Sequence, residues 1–209
     1  MEKINIRRAV ISDLPYLYEI CLKTGDAGKD ASDMFFDPYM MGQYYAAPYL
    51  VYPEGICFVA EHTHRPQGYI LAVPDTINFR RWMEEQWLPP IRKRYAQPLP
   101  PELLRSEKEK RYIDIFHKSL LPIDLTAQPW LTDYPAHLHI DFLPSIQRKG
   151  IGRILIDTIF NELIQKKTPG IHLDVGSSNP GAIAFYNKTG FSTIKEHEWG
   201  LTMGKKLLH

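Results

Sequence analysis

A glycine-punctuated turn, Gln147-Arg148-Lys149-Gly150-Ile151-Gly152-Arg153, separates an alternating segment over 137–143 from an apolar run with helical spacing over 152–166. The order strand, tight turn, helix places a helix N-terminus just beyond the end of a strand. Without Cβ atoms the backbone can approach a ligand closely, and successive N–H groups at a helix start form a positive concavity suited to a diphosphate. Arg148, Lys149 and Arg153 add formal charge around it. A tight strand-to-helix turn without any ligand explains a lone Gly-x-Gly equally well. The dinucleotide pattern Gly-x-Gly-x-x-Gly and the Gly-Lys-Ser/Thr of a nucleotide-binding loop are both absent.

Around this junction the pattern alternates between strand and helix. Ile4-Asn5-Ile6-Arg7 reads as a strand, and Ser12 offers a cap for a helix carrying Leu14, Leu17, Tyr18 and Cys21. Two β-rich runs, 56–61 and 68–73, flank a polar stretch and predict a hairpin. Asp75 can cap a helix with Phe79, Trp82, Met83 and Trp87, and Ser106-Glu107-Lys108-Glu109 has the form of a capping box. Prolines 89, 90, 98, 100 and 101 mark the most irregular stretch between them. Ile171-His172-Leu173-Asp174-Val175 alternates as another strand, Asn179-Pro180 opens a helix that stops at Gly190, and the end forms one or two last strands. Interleaved strands and helices predict an α/β or α+β class around one mixed sheet.

Composition narrows the function classes. With 209 residues, 44% of them hydrophobic, the chain suits one domain over 1–209 with a helical insertion at about 75–132. Lys and Arg number 25 against 24 Asp and Glu, so a net charge of +1 gives no footprint for nucleic acid. No apolar run approaches the roughly 20 residues that cross a bilayer, and the opening residues contain no signal-peptide core. A cytoplasmic protein without membrane contact is expected, with Cys21 and Cys57 as buried reduced thiols.

Gln147, Gly150 and Gly152 fit the pattern Gln/Arg-x-x-Gly-x-Gly/Ala, and Asn179-x-x-Ala182-x-x-Phe185-Tyr186-x-Lys188-x-Gly190-Phe191 follows at the appropriate distance. In these two motifs the sequence resembles the GNAT superfamily of acetyl-coenzyme A dependent N-acetyltransferases. The resemblance implies a mixed central sheet splayed between strands four and five, here 137–143 and 171–175, with helices on both faces and the helical insertion after strand three. It implies that backbone groups of Ile140, Phe142 and Leu143 pair with the pantetheine arm, one N–H near Phe142 pointing at the thioester oxygen. Residues 147–153 would hold the diphosphate, Asn179 would meet the cofactor arm besides capping its helix, and Tyr186 would protonate the departing thiolate. The implied activity is direct transfer of acetyl from acetyl-CoA to a primary amine in a ternary complex, with no covalent acyl-enzyme. Gly25-Asp26-Ala27-Gly28, Phe58-Val59-Ala60-Glu61 and Tyr134-Pro135-Ala136-His137-Leu138-His139-Ile140-Asp141 look like bacterial relatives of the acetyltransferase-like domain joined to O-GlcNAcase, a likeness that carries no substrate with it.

The fourth strand supplies a clue of its own. A strand covered on both faces should be nearly all apolar, yet His137, His139 and Asp141 share one face. They can form a satisfied buried network, a proton acceptor with Asp141 ahead of His139, or a zinc site, although the acetyl-transfer chemistry needs no metal. Ala136 and Leu138, on the register where the family commonly keeps its base, cannot titrate, which leaves a non-catalytic acyl-CoA-binding module as the alternative function. Asp26 and Asp30 are candidate acceptor contacts, and the aromatic stretch 35–49 with Trp82 and Trp87 is a candidate pocket roof. Arg80 and Arg81 lie on the polar face of a helix suited to a lid or a dimer contact, in a chain expected to be a monomer or homodimer.

Overall fold

Pairing register, set by alternation, builds the sheet. Ile56–His62 (β2) and Arg65–Val73 (β3) form an antiparallel hairpin closed by Thr63 and His64, whose φ angles are 52° and 59°. Two left-handed residues in the turn match the twist of the flanking strands, so most of the polar stretch expected as a connection is strand. Asn5–Arg8 (β1) pairs with the free edge of β2, and Ala136–Phe142 (β4) pairs with β3 from Val73↔His137 to Gly68↔Phe142. Gly170–Gly176 (β5), Ser192–His197 (β6) and Gly200–Lys206 (β7) complete the order β1-β2-β3-β4-β5-β7-β6. This computed structural model describes residues 4–97, 99, 102 and 104–207.

Helices cover both faces of this mixed α/β sheet, as the sequence predicts. Leu14–Thr24 (α1), Gly42–Tyr45 (α2) and Ala47–Val51 (α3) precede the hairpin. After β3 come Thr76–Trp82 (α4), Leu88–Arg94 (α5), Glu107–His117 (α6) and Trp130–Asp133 (α7), the helical insertion. Ile151–Gln165 (α8) follows β4, and Pro180–Lys188 (α9) follows β5. Leu17, Tyr69, Leu71, Phe79 and Phe116 belong to one buried cluster, while Ile70, Leu138, Leu155 and Ile159 belong to the other. Alternate residues of β3 thus feed opposite cores, the period-two rule for a strand covered on both faces.

Two local expectations change. Ser12 does not cap α1: Asp13 precedes it, and its carboxylate is taken by the Arg7 guanidinium at 2.7 and 2.8 Å and by the Val10 N–H at 2.9 Å. Ser12 lies inside the short 3-10 turn Ile11–Asp13 that precedes the helix, so its hydroxyl is one residue short of the cap position. Pro89 and Pro90 lie in the first turn of α5, where an absent N–H removes no helical bond; Pro98, Pro100 and Pro101 are outside the described residues. Between α4 and α5 the chain widens into a π turn, Met83–Trp87.

The expected caps at Asp75, Ser106 and Asn179 are present, each side chain accepting the N–H three residues on. At α6 the capping box is rerouted. Ser106 Oγ donates to Met34 O, and the buried Glu109 carboxylate accepts the N–H groups of Phe36 at 2.8 Å and Arg105 at 2.6 Å. One side chain therefore ties the insertion to the loop before α2. Glu109→Ala should lower unfolding free energy by about 2–4 kcal/mol, because two main-chain donors lose their acceptor in a dry site. Urea titration checks this, and a loss under about 0.5 kcal/mol, the usual size for a surface substitution, would mean that water replaces the carboxylate.

Candidate active site

The parallel ladder between β4 and β5 consists of Ala136↔Ile171 and His137↔His172, after which the strands separate although each continues for several residues. Leu143 N–H donates to Gln67 O at 2.8 Å. Antiparallel bonding alternates along a strand, so His137, His139 and Asp141 direct their main-chain groups to β3, and Leu138, Ile140 and Phe142 turn theirs toward β5. Where β5 has moved away, the main chain at Ile140 and the Phe142 N–H meet no described strand. The Phe142 carbonyl is capped by Gln147 Nε2 at 2.8 Å.

This gap opens into a cavity of about 570 Å³. Its lining includes ten of the residues expected to hold the cofactor: Ile140, Phe142, Gln147, Arg148, Gly150, Ile151, Gly152, Arg153, Asn179 and Tyr186. Leu143 and Lys149 are absent from it, the former because its N–H is committed to β3. The two glycines differ in duty. Gly150 has φ +78°, and a Cβ there would meet nothing within 4 Å, whereas a Cβ on Gly152 would come within 2.9 Å of the Phe185 ring. Gly150 permits the turn and leaves its mouth open; Gly152 permits α8 to lie against α9. The first N–H groups of α8, at Ile151 and Gly152, have no intrahelical acceptor. Arg153 is partly engaged, its Nε donating to Asp157 at 2.9 Å.

On the other side of β4 lies a second cavity, of about 610 Å³, lined by His137, His139 and Asp141 together with Tyr44, Tyr45 and Tyr49. Thr24 and Asp141 line both cavities. Tyr69, fully buried, donates its hydroxyl proton to Asp141 Oδ2 at 2.6 Å. Burial raises the Asp141 carboxyl above its ordinary range, against the lowering effect of the Tyr69 bond. Burial lowers His137 well below an ordinary imidazole, with the neighbouring His172 and His139 adding to it, and brings His139 to about 4. Tyr186 is raised by burial and by the Asp141 charge, so its phenol keeps its proton at neutral pH. Its hydroxyl has no described partner yet is not sealed from solvent, which leaves it open to the cavity. Burial raises both thiols, Cys57 to about 12, and neither is a ready nucleophile.

Other expectations resolve differently. Asp26 pairs with Lys108 Nζ at 3.0 Å, and Asp30 accepts the Ser32 N–H and hydroxyl; neither carboxylate lines a described cavity. Their loop still matters, since Gly25 lines the second cavity and Ala27 and Gly28 line the first. Trp82 and Trp87 stack on each other with centroids 6.0 Å apart, and Trp87 Nε1 donates to Gln43 O, so they buttress the roof without lining it. Tyr49 falls within the expected aromatic roof and Arg80, expected on a lid or dimer face, lines the cavity instead; Tyr69, Thr76, His172 and Asp174 carry no site role in the sequence alone. His172 and Asp174 alternate on β5 as His137 and His139 do on β4, a signal that is visible once the two strands are set side by side.

The acetyltransferase (GNAT) family profile matches residues 126–191. The chain is similar to the [Ribosomal protein bS18]-alanine N-acetyltransferase of Escherichia coli K12, 35% identical over 65 residues that make up 30% of this chain and 44% of that protein. The match therefore spans less than half the length of that curated relative. Among solved structures, the crystal structure of SsHAT superposes with TM-score 0.84 at 30% identity, covering 99% of this chain and 100% of that one. The paia N-acetyltransferase of Thermoplasma acidophilum in complex with coenzyme A gives TM-score 0.56 at 16% identity over 98% and 99% of the two chains, a likeness of fold alone.

Three imidazoles held neutral here, His137, His139 and His172, are each lowered by burial. The unfolded chain binds protons on them near pH 6.5 while the folded chain does not. Stability is therefore fully present above about pH 6.5 and is lost as pH falls through the gap, by up to about 1.4 kcal/mol per pH unit for each imidazole. Asp141, displaced upward, opposes this with one proton. The denaturant midpoint should drop between pH 7 and pH 5, and a flat profile there would contradict neutral burial.

Proposed function

We propose that this chain, which belongs to the acetyltransferase (GNAT) family, binds acetyl-CoA in the gap between β4 and β5 and transfers its acetyl group directly to a primary amine held in the second cavity. The observation that carries this reading is the meeting of the two cavities at Asp141 and Thr24, beside backbone groups that the separated strands leave unpaired. Pantetheine amides would complete the ladder at Ile140 and Phe142, and the diphosphate would sit over Gly150 at the α8 N-terminus, with Arg148 and Arg153 alongside. The described residues fit such a ligand: the turn is open, its donors are free of helical partners, and a Cβ-free position faces the space. The solved neighbours from Thermoplasma acidophilum, in complex with coenzyme A, and from Salmonella typhimurium, with acetyl-CoA, have the same fold.

Chemistry then follows from alignment. The amine nitrogen attacks the thioester carbon, and the Phe142 N–H stabilises the tetrahedral oxyanion. Asp141 or His139 accepts the proton lost by nitrogen, and Tyr186 protonates the thiolate as the C–S bond breaks. The curated relatives act, by their names, on an alanine amine, which supports an amine as acceptor. The nearer likeness to bacterial relatives of the O-GlcNAcase acetyltransferase-like domain is part of this proposal and adds no acceptor to it.

Thiol release from acetyl-CoA with a panel of amines tests the activity; binding without turnover, unaltered in Asp141→Asn, would support the non-catalytic acyl-CoA module instead. Gly150→Asp should raise the Kd for acetyl-CoA at least about tenfold, since a left-handed L-residue costs roughly 1–2 kcal/mol and a carboxylate enters the anion cradle. Unchanged affinity by calorimetry would remove the cradle from the proposal. Tyr186→Phe should lower kcat by about 100-fold with cofactor affinity kept, and equal losses in both would make the ring a packing element.

A further inference from the structure

We infer that a one-way chain of hydrogen bonds, from the Pro135 carbonyl through Thr76, His137 and Tyr49, fixes His139 as its Nε2–H tautomer and presents the Nδ1 lone pair to the acceptor cavity as the proton acceptor. The inference rests on the acetyl-transfer reading above and decides between its two candidate bases. It assigns Tyr49, His137 and Thr76 as positioning residues.

Direction is set at the far end. Thr76 Oγ1 lies 2.6 Å from Pro135 O, and a carbonyl can only accept, so the hydroxyl donates its single proton there. His137 Nδ1, 2.7 Å from the same Oγ1, must then be the donor. Burial, with His172, His139 and Arg80 close by, keeps His137 neutral, so its Nε2 carries a lone pair. Tyr49 Oη stands 2.7 Å from that Nε2 and donates to it, its phenol held protonated by burial. Tyr49 has spent its proton, and His139 Nε2, 3.0 Å away, can bond to it only as a donor.

The neutral His139 ring then has its lone pair on Nδ1. That atom has no described hydrogen-bond partner and is not sealed from solvent, and His139 lines the proposed acceptor cavity. Edge-on contacts of the ring with Tyr45 at 5.3 Å and Tyr49 at 5.1 Å hold its plane. Asp141, by contrast, already accepts the Tyr69 proton on Oδ2. In the reaction the C–N bond forms as amine nitrogen attacks, the ammonium proton of the tetrahedral adduct passes to His139 Nδ1, and the C–S bond breaks with the Tyr186 proton going to sulfur. The imidazolium proton returns through solvent to the Tyr186 phenolate, so the net reaction is amine plus thioester to amide plus thiol.

The test combines imidazole nitrogen NMR with kinetics on the intact protein. The long-range proton–nitrogen spectrum of the 15N-labelled protein at pH 7 should show His137 as Nδ1–H and His139 as Nε2–H. Tyr49→Phe should release His139 to a tautomer mixture and lower kcat about 10- to 100-fold while KM for acetyl-CoA stays within about twofold, a general base being worth 10² or more. Thr76→Val should act the same way, and Thr76→Ser, which retains the hydroxyl, should restore both spectrum and rate. Turnover of amines by a wild-type protein whose His139 is Nδ1–H, or an unchanged kcat in folded Tyr49→Phe, would overturn this inference and leave acetyl transfer intact. Absence of thiol release with every amine tried would overturn both.

Discussion

Everything at the candidate site depends on β5 leaving β4 after two residues of parallel pairing. Buried main-chain groups are almost always paired, so a central strand with an unpaired edge is a costly arrangement unless something stands in for the missing strand. Part of the replacement is internal, since Gln147 takes the Phe142 carbonyl. The remainder, at Ile140 and the Phe142 N–H, faces a cavity of the right kind for an extended ligand with amides of its own. β5 does not fray when it departs, because all seven of its residues pair with β7. The gap is thus held open between two pieces of sheet, each stiffened by its own antiparallel neighbour.

The helices on the far side of the gap are arranged to the same end. Gly152 lets α8 approach α9 closely enough for Phe185 to fill the position of a side chain, and that contact fixes where the α8 N-terminus points. Gly150, two residues earlier, turns the chain into the helix in a left-handed conformation and puts no side chain into the opening. A single motif therefore contains one glycine required for packing and one required for access, although in sequence they look alike.

Features of the fold that depend on nearby residues are legible in the sequence. The caps at Asp75, Ser106 and Asn179 are bonds over three residues, and strand alternation and helical spacing are local too. The glycine turn and the polar face of β4 were visible for the same reason. What could not be read was competition from a distance. Lys108, 82 residues along the chain, captures Asp26. Nothing marks Tyr49 among the neighbouring Tyr44, Tyr45 and Tyr52, since its importance comes from standing between two imidazoles of another strand. Likewise His172 became informative only with the register His137↔His172.

The two cavities are made from different material, and this bears on how such a chain can specialise. The proposed cofactor side uses main-chain groups of β4, a glycine turn and the start of α8, with α9 and the loop after α1 closing around them. The proposed acceptor side draws its walls from α1, α2, α3, the insertion helices and β5, through side chains such as Tyr44, Tyr45, Phe79, Arg80 and Tyr112. Thr24 and Asp141 are the residues common to both linings among those described. On the proposed function, substitutions among the walls of the second cavity would change which amine fits without disturbing the thioester, provided that the hydrogen-bonded partners of His139 and Asp141 stay in place. Constraint should accordingly fall heavily on Thr76 and Tyr69, whose single hydroxyl protons are spent within the protein on Pro135 O and Asp141 and orient the groups that face the acceptor.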